Sequence, residues 1–349
     1  MRAVKIDRDG LSGWLLAWAS EFESYGLIKD EAKGQKTWLR INKANISDAL
    51  EIPAGAPKTP IKTFFFPQPE IILTFSARHT DQDAWLPRAE TIDVDGRRVL
   101  FGVRPCDARS IMLNAMPFEG DPYFRALLER TVIVGFSCGT QCSTCFCRLV
   151  GGSPYGTDGL DILITEMDDG LVAEVLTHKG EDLLLKAADG KGDATNEDIA
   201  CLRALRSAVD TAEGQISRLD EVLRSKDMTS LYNRDIWQPL SESCINCGAC
   251  TFLCPTCYCF DIQDEIICGQ GRRIRCWDSC MFPLFTLHAS GHNPRGEALK
   301  RVRNRFMHKL KYFPDRFGFV SCVGCGRCIR ECPVNIDIRE VIHDLVGME

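Results

Sequence analysis

The chain has 349 residues, of which 45% are hydrophobic and 26% charged, and a formal net charge of −6. That length accommodates two domains, and the acidic balance argues against general nucleic-acid binding, which favours a basic domain. No stretch approaches the roughly 20 apolar residues of a membrane span and no apolar signal segment follows the charged start Met1–Gly10, so a soluble, cytoplasmic protein without a membrane partner is expected.

In chain order, Leu11–Glu23 reads as a helix with Leu11, Trp14, Leu15 and Trp18 on one inward stripe. Thr37–Ile41 is a candidate strand. Lys58–Glu70 is a proline-rich loop whose Phe64, Phe65 and Phe66 are expected to pack down, and Ile71–Phe75 is a second strand. Thr91–Val94 and Arg98–Val103 flank Asp95-Gly96, a hairpin signal.

Val99–Val103 is an apolar strand that ends in Arg104-Pro105-Cys106. Asp107–Met116 and Asp121–Arg130 read as helices, and Thr131–Phe136 is a second apolar strand that ends in Ser137-Cys138. Strand, helical crossover and strand make a βαβ unit with parallel strands. Sites in such sheets lie outside the carboxyl ends of the strands, which places Cys106 and Cys138 side by side. Cys142, Cys145 and Cys147 follow directly, so five cysteines converge on one sheet edge. Four of them, Cys106, Cys138, Cys145 and Cys147, are the expected ligands of one cluster, with Cys142 a spare or substitute; buried thiols and zinc are the competing readings.

Leu160–Glu166 and Leu171–Leu176 flank Asp168-Asp169-Gly170, another hairpin signal. Thr195–Lys226 reads as mainly helical, with Cys201 on its apolar side as a core residue. The division expected is an α/β domain over 1–235 and a mostly α-helical domain over 236–349.

The second domain carries one cysteine run twice. Cys244, Cys247, Cys250 and Cys254 precede Pro255; Cys322, Cys325, Cys328 and Cys332 precede Pro333. This is the spacing of a chain that holds two 4Fe–4S cubes, in which three cysteines of each run hold one cube and the fourth completes the other. Cys244, Cys247, Cys250 and Cys332 are therefore expected on one cube, and Cys322, Cys325, Cys328 and Cys254 on the other. Structural zinc prefers separated pairs of cysteines. Nineteen cysteines at such short spacings suit metal in a reducing compartment better than a disulfide framework.

The insert between the runs, Pro255 to Ser321, reads as helical in patches. It contains Cys257, Cys259, Cys268, Cys276 and Cys280, then His288 and His292. A metal site on Cys257, Cys259, Cys280 and His292 is conceivable; S–H···S packing around the cubes is the simpler reading. His79, His178, His308 and His343 read as surface or core residues.

Charge is uneven. Asp158–Asp198 holds twelve acidic and three basic residues, which reads as a solvated face. Arg272–Lys311 holds ten basic and two acidic residues. These cations would favour reduced, more negative clusters or dock an acidic partner; a solvated helix over Gly296–Lys311 is the alternative. No G-x-G-x-x-G opens a helix after a strand and no P-loop is present, so no flavin or NAD site is expected in this chain.

These motifs resemble the beta subunit of cytoplasmic sulfhydrogenases (hydrogenase/sulfur reductases) and the A subunit of anaerobic sulfite reductase. The resemblance rests on Phe64-Phe65-Phe66, Gly102–Asp107, Cys145-Phe146-Cys147 and Cys254-Pro255-Thr256-Cys257-Tyr258-Cys259. It continues through Trp277-Asp278-Ser279-Cys280, Gly291-His292-Asn293 and Cys322-Val323-Gly324-Cys325-Gly326-Arg327-Cys328. The spacing of Cys138 to Cys145 departs from the family pattern at Cys142. The resemblance implies an electron-transfer subunit, not catalytic alone, of a soluble anaerobic oxidoreductase complex. A flavin subunit would oxidise NAD(P)H, and a catalytic partner (hydrogenase, sulfite or sulfur reductase, or a heterodisulfide-reductase-like enzyme) would receive the electrons. Two rival readings are an enzyme that reduces sulfur or disulfides at the Cys106–Cys147 site, and a zinc-stabilised scaffold.

Overall fold

The computed structural model describes residues 2–32, 34–76, 96–187, 192–211, 219–268 and 270–347. Among them eleven strands are formed: β1 Arg2–Ile6, β2 Glu23–Asp30, β3 Gln35–Arg40, β4 Glu70–Ser76, β5 Arg98–Val103, β6 Thr131–Phe136, β7 Ile162–Met167, β8 Gly170–Val175, β9 Gly192–Asp193, β10 Phe260–Ile267 and β11 Gln270–Trp277. Eight make a mixed sheet in the order β3-β2-β5-β6-β7-β8-β1-β9, and three make a small sheet in the order β10-β11-β4.

The centre of the large sheet is parallel: β2, β5, β6 and β7 run together. The crossover from β5 to β6 runs through helices Pro105–Ala115 and Pro122–Arg130, the expected βαβ unit. Such strands are covered on both faces, and every residue of β5 is buried. One face is covered by helix Arg8–Glu21, whose Leu11, Trp14, Leu15 and Trp18 are all buried. Each tryptophan removes about 200 Å² from water, up to about 5 kcal/mol. Trp18 Nε1 also donates to the Leu183 carbonyl at 3.0 Å, which ties this helix to helix His178–Leu185. On the other face Phe65, Phe66, Phe118 and Phe124 pack together. The hairpin at Asp168-Asp169-Gly170 forms, with β7 and β8 antiparallel.

Three expectations change. The insert between the cysteine runs, expected as helical in patches, also carries strands that were not expected: β10 and β11 form a hairpin, and β11 pairs with β4 from far upstream. A buried Arg275 bonded to Glu70 and Asp121, next to a buried Ile274, holds it there. Cys201 is exposed, because the inward stripe of helix Asn196–Thr211 runs through Asp198 and Leu202, one residue off Cys201. The acidic stretch is a solvated face only in part: Asp161, Glu174 and Asp198 are buried. Asp161 accepts from Ile133 N, Glu174 pairs with Arg206, and Asp198 with Lys5. Thr91–Val94, Asp95 and His79 lie outside the described residues. No helix among the described residues is long and apolar enough to cross a membrane.

Candidate iron–sulfur centres

The two cysteine runs fold as copies. Asn246 and Gly324, each two residues after the first cysteine, have φ of 57° and 64°; Gly248 and Gly326, one after the second, have 76° and 73°. A short helix follows each, Ala249–Phe252 and Arg327–Arg330. The left-handed residue turns its N–H back onto the first sulfur: Asn246 N lies 3.4 Å from Cys244 Sγ and Gly324 N 3.5 Å from Cys322 Sγ. Ile336 N reaches Cys332 Sγ at 3.3 Å. Such N–H···S bonds tune iron–sulfur clusters.

Cys244, Cys247, Cys250 and Cys332 line one cavity together with Cys328, although more than 80 positions separate Cys332 from the first three. Arg305 lines the same cavity; it is buried, and its Nε has no hydrogen-bond partner. An unpartnered guanidinium N–H beside a cavity lined by five cysteines fits an anionic cluster. Cys254, Cys322 and Cys325 lie close enough to Cys328 for each sulfur to act on its thiol, which makes these four the second candidate group. Burial first, then the neighbouring sulfurs, push Cys328 up to about 12, and burial pushes Cys322 up to about 11. Cys254 moves the other way: the hydrogen bond from Cys257, helped by Lys309 and Thr256, holds it well below the ordinary thiol range. A cationic iron core would supply what thiolate ligation needs at the other three.

Lys309 serves this second group directly. It is buried, and its Nζ donates to Cys254 Sγ at 3.2 Å, Thr256 Oγ1 at 3.0 Å and the Ser321 carbonyl at 3.0 Å. Burial opposes its charge, but Cys254, Cys257 and Cys322 outweigh that and hold it well above the ordinary lysine range. The solvated-helix reading of Gly296–Lys311 is therefore corrected. Within that stretch Arg301, Arg305, Lys309 and Lys311 are all buried. Arg301, Arg305 and Lys309 recur every four residues beside Val302 and Phe306, so they share the inward stripe of helix Ala298–Met307 and the π turn after it. That spacing was the available sequence signal.

At the carboxyl ends of β5 and β6, Cys106, Cys138, Cys145 and Cys147 line one cavity together with Gly55, Gly324 and Cys325. Burial raises Cys106 and Cys138 and takes Cys147 up to about 11. One feature was not anticipated: Cys142 and Cys145 are joined as a disulfide. Cys145 can hold iron only after that bond is reduced.

The remaining cysteines of the insert divide among several surroundings. Cys257 hydrogen-bonds to Cys254, and Cys280 donates to Cys259, which lowers Cys259 to about 7. Cys268 is exposed, and Cys276 is half-buried on β11. His292 meets His288 edge-on with ring centres 5.4 Å apart, in an exposed loop. Among the described residues no three His, Cys, Asp or Glu side chains converge on a point that could hold a single metal ion. His178 and His343 are exposed, while His308 is half-buried against Tyr258.

Comparison with known proteins agrees with this geometry. The family of 4Fe-4S dicluster domains matches residues 243–336. Sulfhydrogenase 2 subunit beta of Pyrococcus furiosus is 29% identical over 353 aligned positions, which cover 99% of this chain and 98% of the relative. No solved structure matches. The chain is thus an iron–sulfur electron-transfer protein with a 4Fe–4S dicluster domain, and it is similar over nearly its whole length to a sulfhydrogenase beta subunit.

Proposed function

We propose that the chain is the relay subunit of a soluble oxidoreductase complex, carrying single electrons between a flavin subunit that oxidises NAD(P)H and a catalytic partner. The observation that carries this reading is the convergence of Cys244, Cys247, Cys250 and distant Cys332 on one cavity beside Arg305, whose Nε has no hydrogen-bond partner. Bound there and at the second group, 4Fe–4S clusters supply one-electron oxidation and reduction. The protein's part is position, burial and charge. Residues 236–349 would house two cubes, and residues 1–235 would bring a third cluster, on Cys106, Cys138, Cys145 and Cys147, against the second.

The placement favours a linear order. Cys325, a ligand of the second cube, lines the third cavity. Cys328, another, lines the first. Cys247 and Ile245 are exposed at the far end, which makes the first cube the terminus nearest a partner.

Anoxic purification from the native host tests the proposal. Roughly twelve irons per chain, matching acid-labile sulfide and co-eluting flavin and catalytic subunits are expected from three cubes. A colourless protein with zinc and no sulfide would refute it.

A further inference from the structure

Asp107 and Arg327 are both fully buried. Arg327 Nη1 and Nη2 donate to Asp107 Oδ1 and Oδ2, each at 2.7 Å, and its Nε donates to the Pro57 and Lys58 carbonyls at 2.6 and 3.2 Å. A buried ion pair is a poor source of stability, because desolvation cancels much of the attraction. Its position suggests another use. Asp107 follows Cys106 in the first turn of helix Pro105–Ala115. Arg327 stands between Cys325 and Cys328.

The pair therefore joins the loops that carry two cysteine groups, and those loops touch through their backbones. Phe146 N donates to the Gly324 carbonyl at 2.8 Å. A Cβ at Gly324 would lie 2.4 Å from Cys147 N, and one at Gly326 2.4 Å from the Thr144 carbonyl oxygen. No side chain fits at either glycine.

We propose that the Asp107–Arg327 pair is a shared junction element: it clamps the third cluster against the cube on Cys322, Cys325, Cys328 and Cys254, and its charge balance sets the reduction potential of both. This rests on the third cluster proposed above. Both residues act as positioning residues, since neither is a ligand.

The test is a potentiometric EPR titration of the full, anoxically purified chain. Asp107→Asn keeps the side-chain shape and leaves the Arg327 charge uncompensated. Both clusters should then become easier to reduce, each by about tenfold or more in the reduction equilibrium, about 59 mV for one electron. In the double variant Asp107→Asn/Arg327→Met both charges leave together. Its potentials should return towards wild type, while the magnetic interaction between the two reduced clusters weakens because the clamp is gone. Unchanged potentials in Asp107→Asn, or a rise in one cluster only, would overturn the shared charge. Where Asp107→Asn fails to take up iron, the double variant decides, and a wild-type magnetic interaction there would overturn the clamp. Wild-type iron separates the two levels of failure. Roughly eight irons per chain would remove the third cluster and the reading beneath the proposal; roughly twelve with the outcomes just named would overturn the proposal alone.

Discussion

Replacing Lys309 by Met should make the cube on Cys254, Cys322, Cys325 and Cys328 harder to reduce. The ammonium lies 3.2 Å from Cys254 Sγ and is 2% exposed, so solvent screens it little. Placing the added electron about 6 Å from Nζ, at an effective dielectric of about 20, gives about 3 kcal/mol. For one electron that is on the order of 100 mV. Met fills much of the same volume. The Ser321 carbonyl keeps its bond from Thr256 Oγ1 at 2.8 Å, so the backbone acceptor is not orphaned. The assay is EPR-monitored redox titration of wild type, Lys309→Met and Lys309→Arg. Met should lower the midpoint by about that amount and Arg should restore most of it. An unchanged midpoint in Met, or an equal drop in Met and Arg, would refute the argument that charge rather than packing sets the potential.

Substituting Cys250 by Ala should remove about four irons, one cube's worth, while the eight-stranded sheet stays folded by amide exchange; normal partner-to-partner electron flow in that variant would contradict the relay. Gly324→Ala puts a Cβ 2.4 Å from Cys147 N at a φ of +64°, so denaturant titration should show a loss of about 2 kcal/mol or more, with iron lost from the cavity at Cys106 and Cys147. His308 is held down at about 4, by burial first and then by Lys309 and Arg295. Its folded pKa lies below the unfolded value of about 6.5, so the unfolded chain binds the extra proton and stability falls as pH drops from about 6.5 towards 4. His308→Gln should flatten that slope, read as the difference in Tm between pH 7.5 and 5.5; an unchanged slope would show that His308 does not supply it.

Local pattern carried much of this protein. Period-four apolar residues placed Trp14 and Trp18 inside, and apolar runs ending in Cys106 and Cys138 placed both thiols at one sheet edge. The repeated run announced two clusters by itself, because ligand spacing is a short-range property that a loop of a few residues satisfies wherever it sits. Other features were illegible because they depend on residues far apart in sequence. The pairing of β11 with β4 joins positions about 200 apart, and no local periodicity records a partner at that distance. The Asp107–Arg327 clamp and the contact of Lys309 with Cys254 likewise arise from how separate segments come to rest against one another. The sequence by itself determined which atoms could bind iron. Only the tertiary structure decided which charges stand beside them, because a buried cation is tolerable only where folding brings it counter-charge or acceptors.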